Sequence, residues 1–124
     1  MRTACLFIMV AALAACGSDD TNSSTSSSSS GGAAAAAEVK LTAGNQFTPG
    51  SVTIKAGETV KWTWEGGNHN VVSGATCGTP DGKFTSGALK TSGSFEFKFT
   101  TAGNYPYYCD PHCSMGMKGM VVVQ

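Results

Sequence analysis

Residues 105–123 read Tyr-Pro-Tyr-Tyr-Cys-Asp-Pro-His-Cys-Ser-Met-Gly-Met-Lys-Gly-Met-Val-Val-Val. Two apolar runs, Tyr105–Tyr108 and Met120–Val123, flank a short polar loop, so the segment reads as strand, loop and strand. Within it, Cys109, His112 and Met117 are spaced C-x2-H-x4-M. A thiolate, an imidazole and a thioether are soft or borderline donors, the set that suits a copper ion cycling between two oxidation states. Such a site wants a second imidazole, and the chain has two histidines in all. The other is His69, in Gly-Gly-Asn-His-Asn-Val-Val. The expected metal ligands are therefore His69, Cys109, His112 and Met117.

Outward from that stretch, residues 38–124 alternate in the two-residue period of half-buried strands. Val52 and Ile54 share a face. So do Val60, Trp62 and Trp64, opposite Lys61 and Thr63, and so do Phe95, Phe97 and Phe99, opposite Glu96 and Lys98. Trp62 and Trp64 are expected to be core aromatics. Thr48-Pro49-Gly50, Ala56-Gly57-Glu58, Gly66-Gly67-Asn68 and Ala102-Gly103-Asn104 mark turns. Residues 73–92 carry little periodicity and read as a long irregular crossover, with a short strand or helical turn near Phe84–Leu89. Seven or eight short strands at this spacing predict an all-β fold, a Greek-key antiparallel β-sandwich. Tyr105 stands where a sandwich ties a corner with a tyrosine hydroxyl. Pro106 cannot donate to a ladder, which argues for an edge or a bulge.

The first 37 residues read differently. Arg2 precedes an uncharged, mostly apolar run from Thr3 to Ala15, too short to span a bilayer, which needs about 20 residues. Residues 1–15 are expected to be a secretory signal peptide. Leu13-Ala14-Ala15-Cys16 resembles the bacterial lipoprotein cleavage box, which makes Cys16 the lipid-modified first residue of the mature chain. Residues 16–37 are then a lipid-anchored linker of serine, threonine, glycine and alanine with nothing to bury. As a random coil, Gly17–Ala37 spans ~25 Å.

Of the five cysteines, Cys5 leaves with the signal, Cys16 takes the lipid and Cys109 binds the metal. Cys77 and Cys113 remain, an even number in an exported setting, and are expected to form a disulfide. Closing that loop stabilises by about 3–4 kcal/mol on the chain-entropy estimate. The alternatives are buried free thiols, or Cys113 as a competing ligand.

With Arg2, Asp19 and Asp20 set aside, residues 38–124 carry seven lysines and six acids. A near-neutral body has no basic field for nucleic acid. Asn70, beside His69, is placed to link the His69 strand to the loop around Cys109. Met115 and Met120 compete with Met117; Met120 begins the last apolar run and reads as core, and Met115 as rim.

His69-Asn70-Val71-Val72, Tyr105 through Cys109, Asp110-Pro111-His112 and Gly116-Met117 together resemble a plastocyanin-type cupredoxin. The resemblance covers about residues 38–124. It implies one type 1 (blue) copper, single-electron transfer rather than enzymatic activity, the four ligands already named, and His112 as the exit route for the electron. Cys77 and Cys113 lie outside the basic pattern, and no clustered acidic patch of the photosynthetic kind is present. The expectation is a monomeric electron carrier of the bacterial cell envelope, on its periplasmic or extracellular side. Its redox protein partner is unidentified, and the lipid anchor is its one contact with the membrane.

Three rivals compete. A copper enzyme needs histidines for a second centre, and none are left. A structural zinc site could use His69, Cys109, His112 and Cys113, but leaves Met117 unexplained. A copper carrier or scavenger would hand the ion on. Covalent haem attachment is disfavoured, because Cys109-x-x-His112-Cys113 lacks the C-x-x-C-H order.

Overall fold

The structure, a computed structural model, describes residues 34–124. The readings of the signal peptide, Cys16 and most of the linker lie outside the described residues. Among the described residues there are eight strands: β1 (Ala37–Thr42), β2 (Gln46–Thr48), β3 (Ser51–Ile54), β4 (Thr59–Trp64), β5 (Val72–Ser73), β6 (Ser94–Lys98), β7 (Gly103–Tyr108) and β8 (Lys118–Val123). A six-residue 3-10 helix, Asp110–Met115, stands between β7 and β8. The first strand begins before residue 38, and Ala36 N–H already donates to Thr59 O at 2.8 Å.

The strands form two four-stranded sheets, β2-β1-β4-β6 and β3-β8-β7-β5. The alternating faces meet between them. Val39 and Leu41 of β1 and Val60, Trp62 and Trp64 of β4 are buried with Val52, Ile54, Tyr107, Val121 and Val123 of the other sheet. Trp62 is central, with Phe84 stacked at 5.6 Å and Tyr107 edge-on at 5.4 Å. Phe99 is buried, whereas Phe95 and Phe97 on the edge strand β6 are only half-covered.

The sheets are mixed rather than purely antiparallel. β1 pairs with β4 in parallel from Ala37↔Val60 to Leu41↔Trp64, and β3 pairs with β8 in parallel from Ser51↔Met120 to Ile54↔Val123. The reason lies in the connections. The chain leaves β1 through β2, crosses to the second sheet as β3, and returns beside β1 pointing the same way. Alternation reports which side faces inward; it is the same for either direction of pairing.

Pro106 does not lie on an edge strand: β7 runs between β8 and β5. Its carbonyl accepts from Gly74 N–H at 2.9 Å, just beyond the two-residue β5. Backbone N and O of one strand residue point the same way, so the missing donor faces the place where β5 has ended. Tyr105 does tie the corner, its hydroxyl donating to Thr101 O at 2.6 Å. The Phe84–Leu89 segment forms neither helix nor named strand. It is joined to β5 by the single bridge Val72↔Thr85, and Lys90, just beyond it, bridges to His69.

Candidate metal centre

His69 is placed by its backbone before its side chain. Its N–H donates to Lys90 O and its carbonyl accepts from Lys90 N–H, both at 2.9 Å, and from the Trp64 indole N–H at 2.8 Å. Gly67, with φ +79°, passes directly over the imidazole; a Cβ there would collide with Nε2. That nitrogen lies 2.9 Å from Thr42 O. A carbonyl can only accept, so Nε2 carries the proton and Nδ1 presents a lone pair. Burial pushes the His69 pKa down, and the neighbouring His112 pushes it further, against the opposing bonds to Thr42 and Gly66. The ring is thus held neutral, as a ligand must be.

Cys109 stands between β7 and the 3-10 helix as the helix N-cap, fully buried, with φ −102° and ψ 124°. Its N–H donates to Met117 O at 3.1 Å and its carbonyl accepts from His112 N–H at 3.2 Å. One turn of 3-10 helix is what C-x2-H spacing needs to bring both side chains to one side. Sγ of Cys109 lies 3.7 Å from His69 Nδ1 and 3.5 Å from His112 Nδ1, and the two Nδ1 atoms are 3.1 Å apart. Burial raises the Cys109 pKa, opposed by N–H groups of Asn70 and His112.

These separations fit one ion. Bonds of about 2.0–2.3 Å, ordinary for N and S donors on a first-row divalent metal, span donor pairs of this size. A thiol sulfur and two ring nitrogens crowded together out of water are poorly matched to one another. A cation held among them would supply the positive charge that stabilises a buried thiolate. Met117 is fully buried, and its backbone bonds both Cys109 and His112. Met115 is 63% exposed, which places it at the rim; Met120 is half-buried on β8 rather than in the core.

A disulfide joins Cys77 to Cys113, with Cα atoms 5.7 Å apart. Cys113 is therefore not available as a ligand, which removes the four-donor zinc set. Asn70 bridges the two ligand segments. Its Oδ1 accepts from Asp110 N–H and its Nδ2 donates to Asp110 Oδ2, both at 2.9 Å. Thr42, Gly67 and Asp110 are contributors that sequence reasoning missed. Asp110 was marked only by its place between two ligands, and nothing local marks a carbonyl 27 residues from the imidazole it orients.

The sequence matches the profile of copper binding proteins, plastocyanin/azurin family, over residues 33–124. The chain belongs to the plastocyanin/azurin family. As a member of it, the chain is a copper-binding cupredoxin with one copper ion as its cofactor, and carriers of single electrons make up the plastocyanin-like branch. It is 45% identical to plastocyanin of Scenedesmus fuscus over 87 residues, covering 63% of this chain and 86% of that one. Among solved structures, oxidised plastocyanin of Dryopteris crassirhizoma superposes with a TM-score of 0.58 at 33% identity, covering 70% of this chain and 99% of that one. A purple cupredoxin of Nitrosopumilus maritimus gives a TM-score of 0.61 at 30% identity, covering 71% and 99%. The cupredoxin likeness therefore spans the whole described body.

Proposed function

We propose that the chain is a one-electron carrier of the bacterial cell envelope, with His69, Cys109, His112 and Met117 as the residues that would hold its copper ion and Met117 as the weakest of the four donors. The observation that carries the reading is the convergence of two imidazole nitrogens and one thiol sulfur within 4.8 Å at one end of a rigid sandwich. Bound copper supplies the one-electron couple. The chain supplies the frame. The Lys90 and Thr42 bonds fix His69, the Asn70–Asp110 pair locks one ligand segment against the other, and burial of Cys109 excludes water from the thiolate. A frame that cannot relax keeps the donors in nearly one arrangement for both oxidation states, which fast electron transfer requires.

His112 is the half-exposed member of the set, with exposed Met115 on the same helix, and is the side from which a redox protein would approach. Both histidines of the chain are used here, which leaves none for a second copper centre of an enzyme. On this reading residues 1–15 are a signal peptide, Cys16 carries a lipid, and residues 16–37 tether a monomeric body outside the cytoplasm.

An absorption and EPR spectrum of the copper-loaded, oxidised chain tests the reading. An intense blue thiolate-to-copper band with one copper per chain supports it; a colourless loaded protein defeats it. Retention against a strong Cu(I) chelator separates an electron carrier from a copper donor. Rapid loss of the reduced ion would favour the donor.

A further inference from the structure

His112 rides on the least self-sufficient element near the site. The 3-10 helix Asp110–Met115 runs six residues, longer than the poor alignment of i→i+3 bonds usually allows. Its N-cap residue, Cys109, contributes no side-chain cap, and of its six residues only Cys113 is buried. Its ends are tied by hydrogen bonds alone, Asp110 to Asn70 at the start and Met117 N–H to His112 O at 3.1 Å at the finish. The middle is held by Cys113, which packs with Val72 and Tyr108 in an apolar cluster separate from the main core.

The other sulfur is not on a loose loop. Cys77 is at the second position of a tight turn, Thr79 N–H donating to Thr76 O at 3.0 Å, and Gly78 at φ +73° supplies the positive dihedral such a turn needs at its third position. The base of the loop is closed by Asp81 N–H to Ser73 O, and Gly74 N–H reaches Pro106 O, both at 2.9 Å. The loop is thereby pinned to β5 and β7, the strand that delivers Cys109.

We propose that the Cys77–Cys113 disulfide is a positioning device for His112: it holds the helix bearing this imidazole against the 73–81 loop, and so sets its separation from the Cys109 sulfur. His69 needs no such device, being held by the backbone of the opposite sheet. Cys77 and Cys113 are positioning residues, acting on the site only through the helix. The inference concerns the metal-free frame as well as the copper reading, and its test has a readout for each.

The test is hydrogen exchange on the full chain, copper-free and Cu(I)-loaded, comparing wild type with Cys77→Ala/Cys113→Ala. Val123→Ala, a core substitution away from the site, is the control for general loss of stability. The amides of Gly116 and Met117, which bond Cys113 O and His112 O, should lose at least tenfold more protection than those of β4 and Phe99. Val123→Ala should lower all of them by a common factor. In the Cu(II)-loaded double variant the thiolate band and EPR parameters should shift, while Val123→Ala keeps the wild-type spectrum. A uniform loss of protection in the double variant overturns the proposal, leaving the bond a general stabiliser. So does a local loss with an unchanged spectrum, since His112 would then keep its place without the bond. If the chain takes up no copper, exchange in the copper-free chain still decides the matter apart from the copper reading. If the double variant does not fold, reduction of the Cys77–Cys113 bond in the folded wild-type chain replaces it; unchanged protection at Gly116 after reduction overturns the proposal.

Discussion

The two histidines of the site are held in opposite ways. His69 is fully buried, bridged to Lys90 through its backbone, and fixed through its ring by a carbonyl of β1. His112 is half-exposed on a short 3-10 helix whose single buried side chain is half of a disulfide. One imidazole is part of the sheet architecture and shares its stability. The other belongs to a local device near the surface, where a partner can approach. The difference teaches that rigidity at one site can come from two sources: cooperative β-structure on one side, and a few specific ties on the other.

The largest effect should come from the atom both sides share. Cys109→Ser leaves a buried hydroxyl where both Nδ1 atoms converge, and the loaded protein should lose the blue band completely. Gly67→Ala strikes the His69 side alone. A Cβ at positive φ that also meets the imidazole should cost on the order of 2–4 kcal/mol in urea unfolding and weaken copper retention. If it costs no more than a surface change, the sheet side is less rigid than its bonds suggest.

Asn70→Ala cuts the tie between the sides. It leaves Asp110 N–H without its partner and should cost about 1–3 kcal/mol. The greater loss of amide protection should fall on the His112 helix rather than on β4. Met117→Leu is nearly volume-conserving, so stability should change by less than about 1.5 kcal/mol. The blue band should persist with a higher reduction potential. An unchanged potential would move the role proposed for Met117 to another group.

The smallest effect concerns the loop that carries Cys77. Burial pushes the Asp81 carboxyl up, but bonds from Ser73 Oγ and Lys83 N–H, with the Lys83 charge, outweigh it and hold the group below its ordinary value. A depressed folded pKa contributes stability that is present above the unfolded value of about 3.9 and is lost as pH falls through the lowered one. Asp81→Asn should flatten the acid limb of a stability-against-pH curve slightly, by less than ~1 kcal/mol for so exposed a group.

Much of this was legible along the chain. Period-two alternation in Val60–Trp64 and Phe95–Phe99 marks inward faces because a strand must bury one side, and Tyr105 could be read as a corner from the turn before it. The meeting of His69, Cys109 and His112 was legible because C-x2-H-x4-M and the lone other histidine are rare residue types set between apolar runs. The parallel pairings of β1 with β4 and β3 with β8 were not, since a pattern of faces carries no information about strand direction. The place of Pro106 inside the sheet was hidden too, because it depends on β5 ending after two residues.

By itself, the order of residues determined which side chains are inward, which donors the chain owns, and which two cysteines were left to pair. Only the tertiary structure decided that Thr42 O orients the ring of His69, that Gly67 clears space over it, and that Asp110 closes onto Asn70. The two hydrogen bonds among these contacts join residues 27 and 40 positions apart. Local sequence records the preferences of neighbours, whereas a hydrogen bond across a sandwich exists only once both sheets have packed and fixed its two ends.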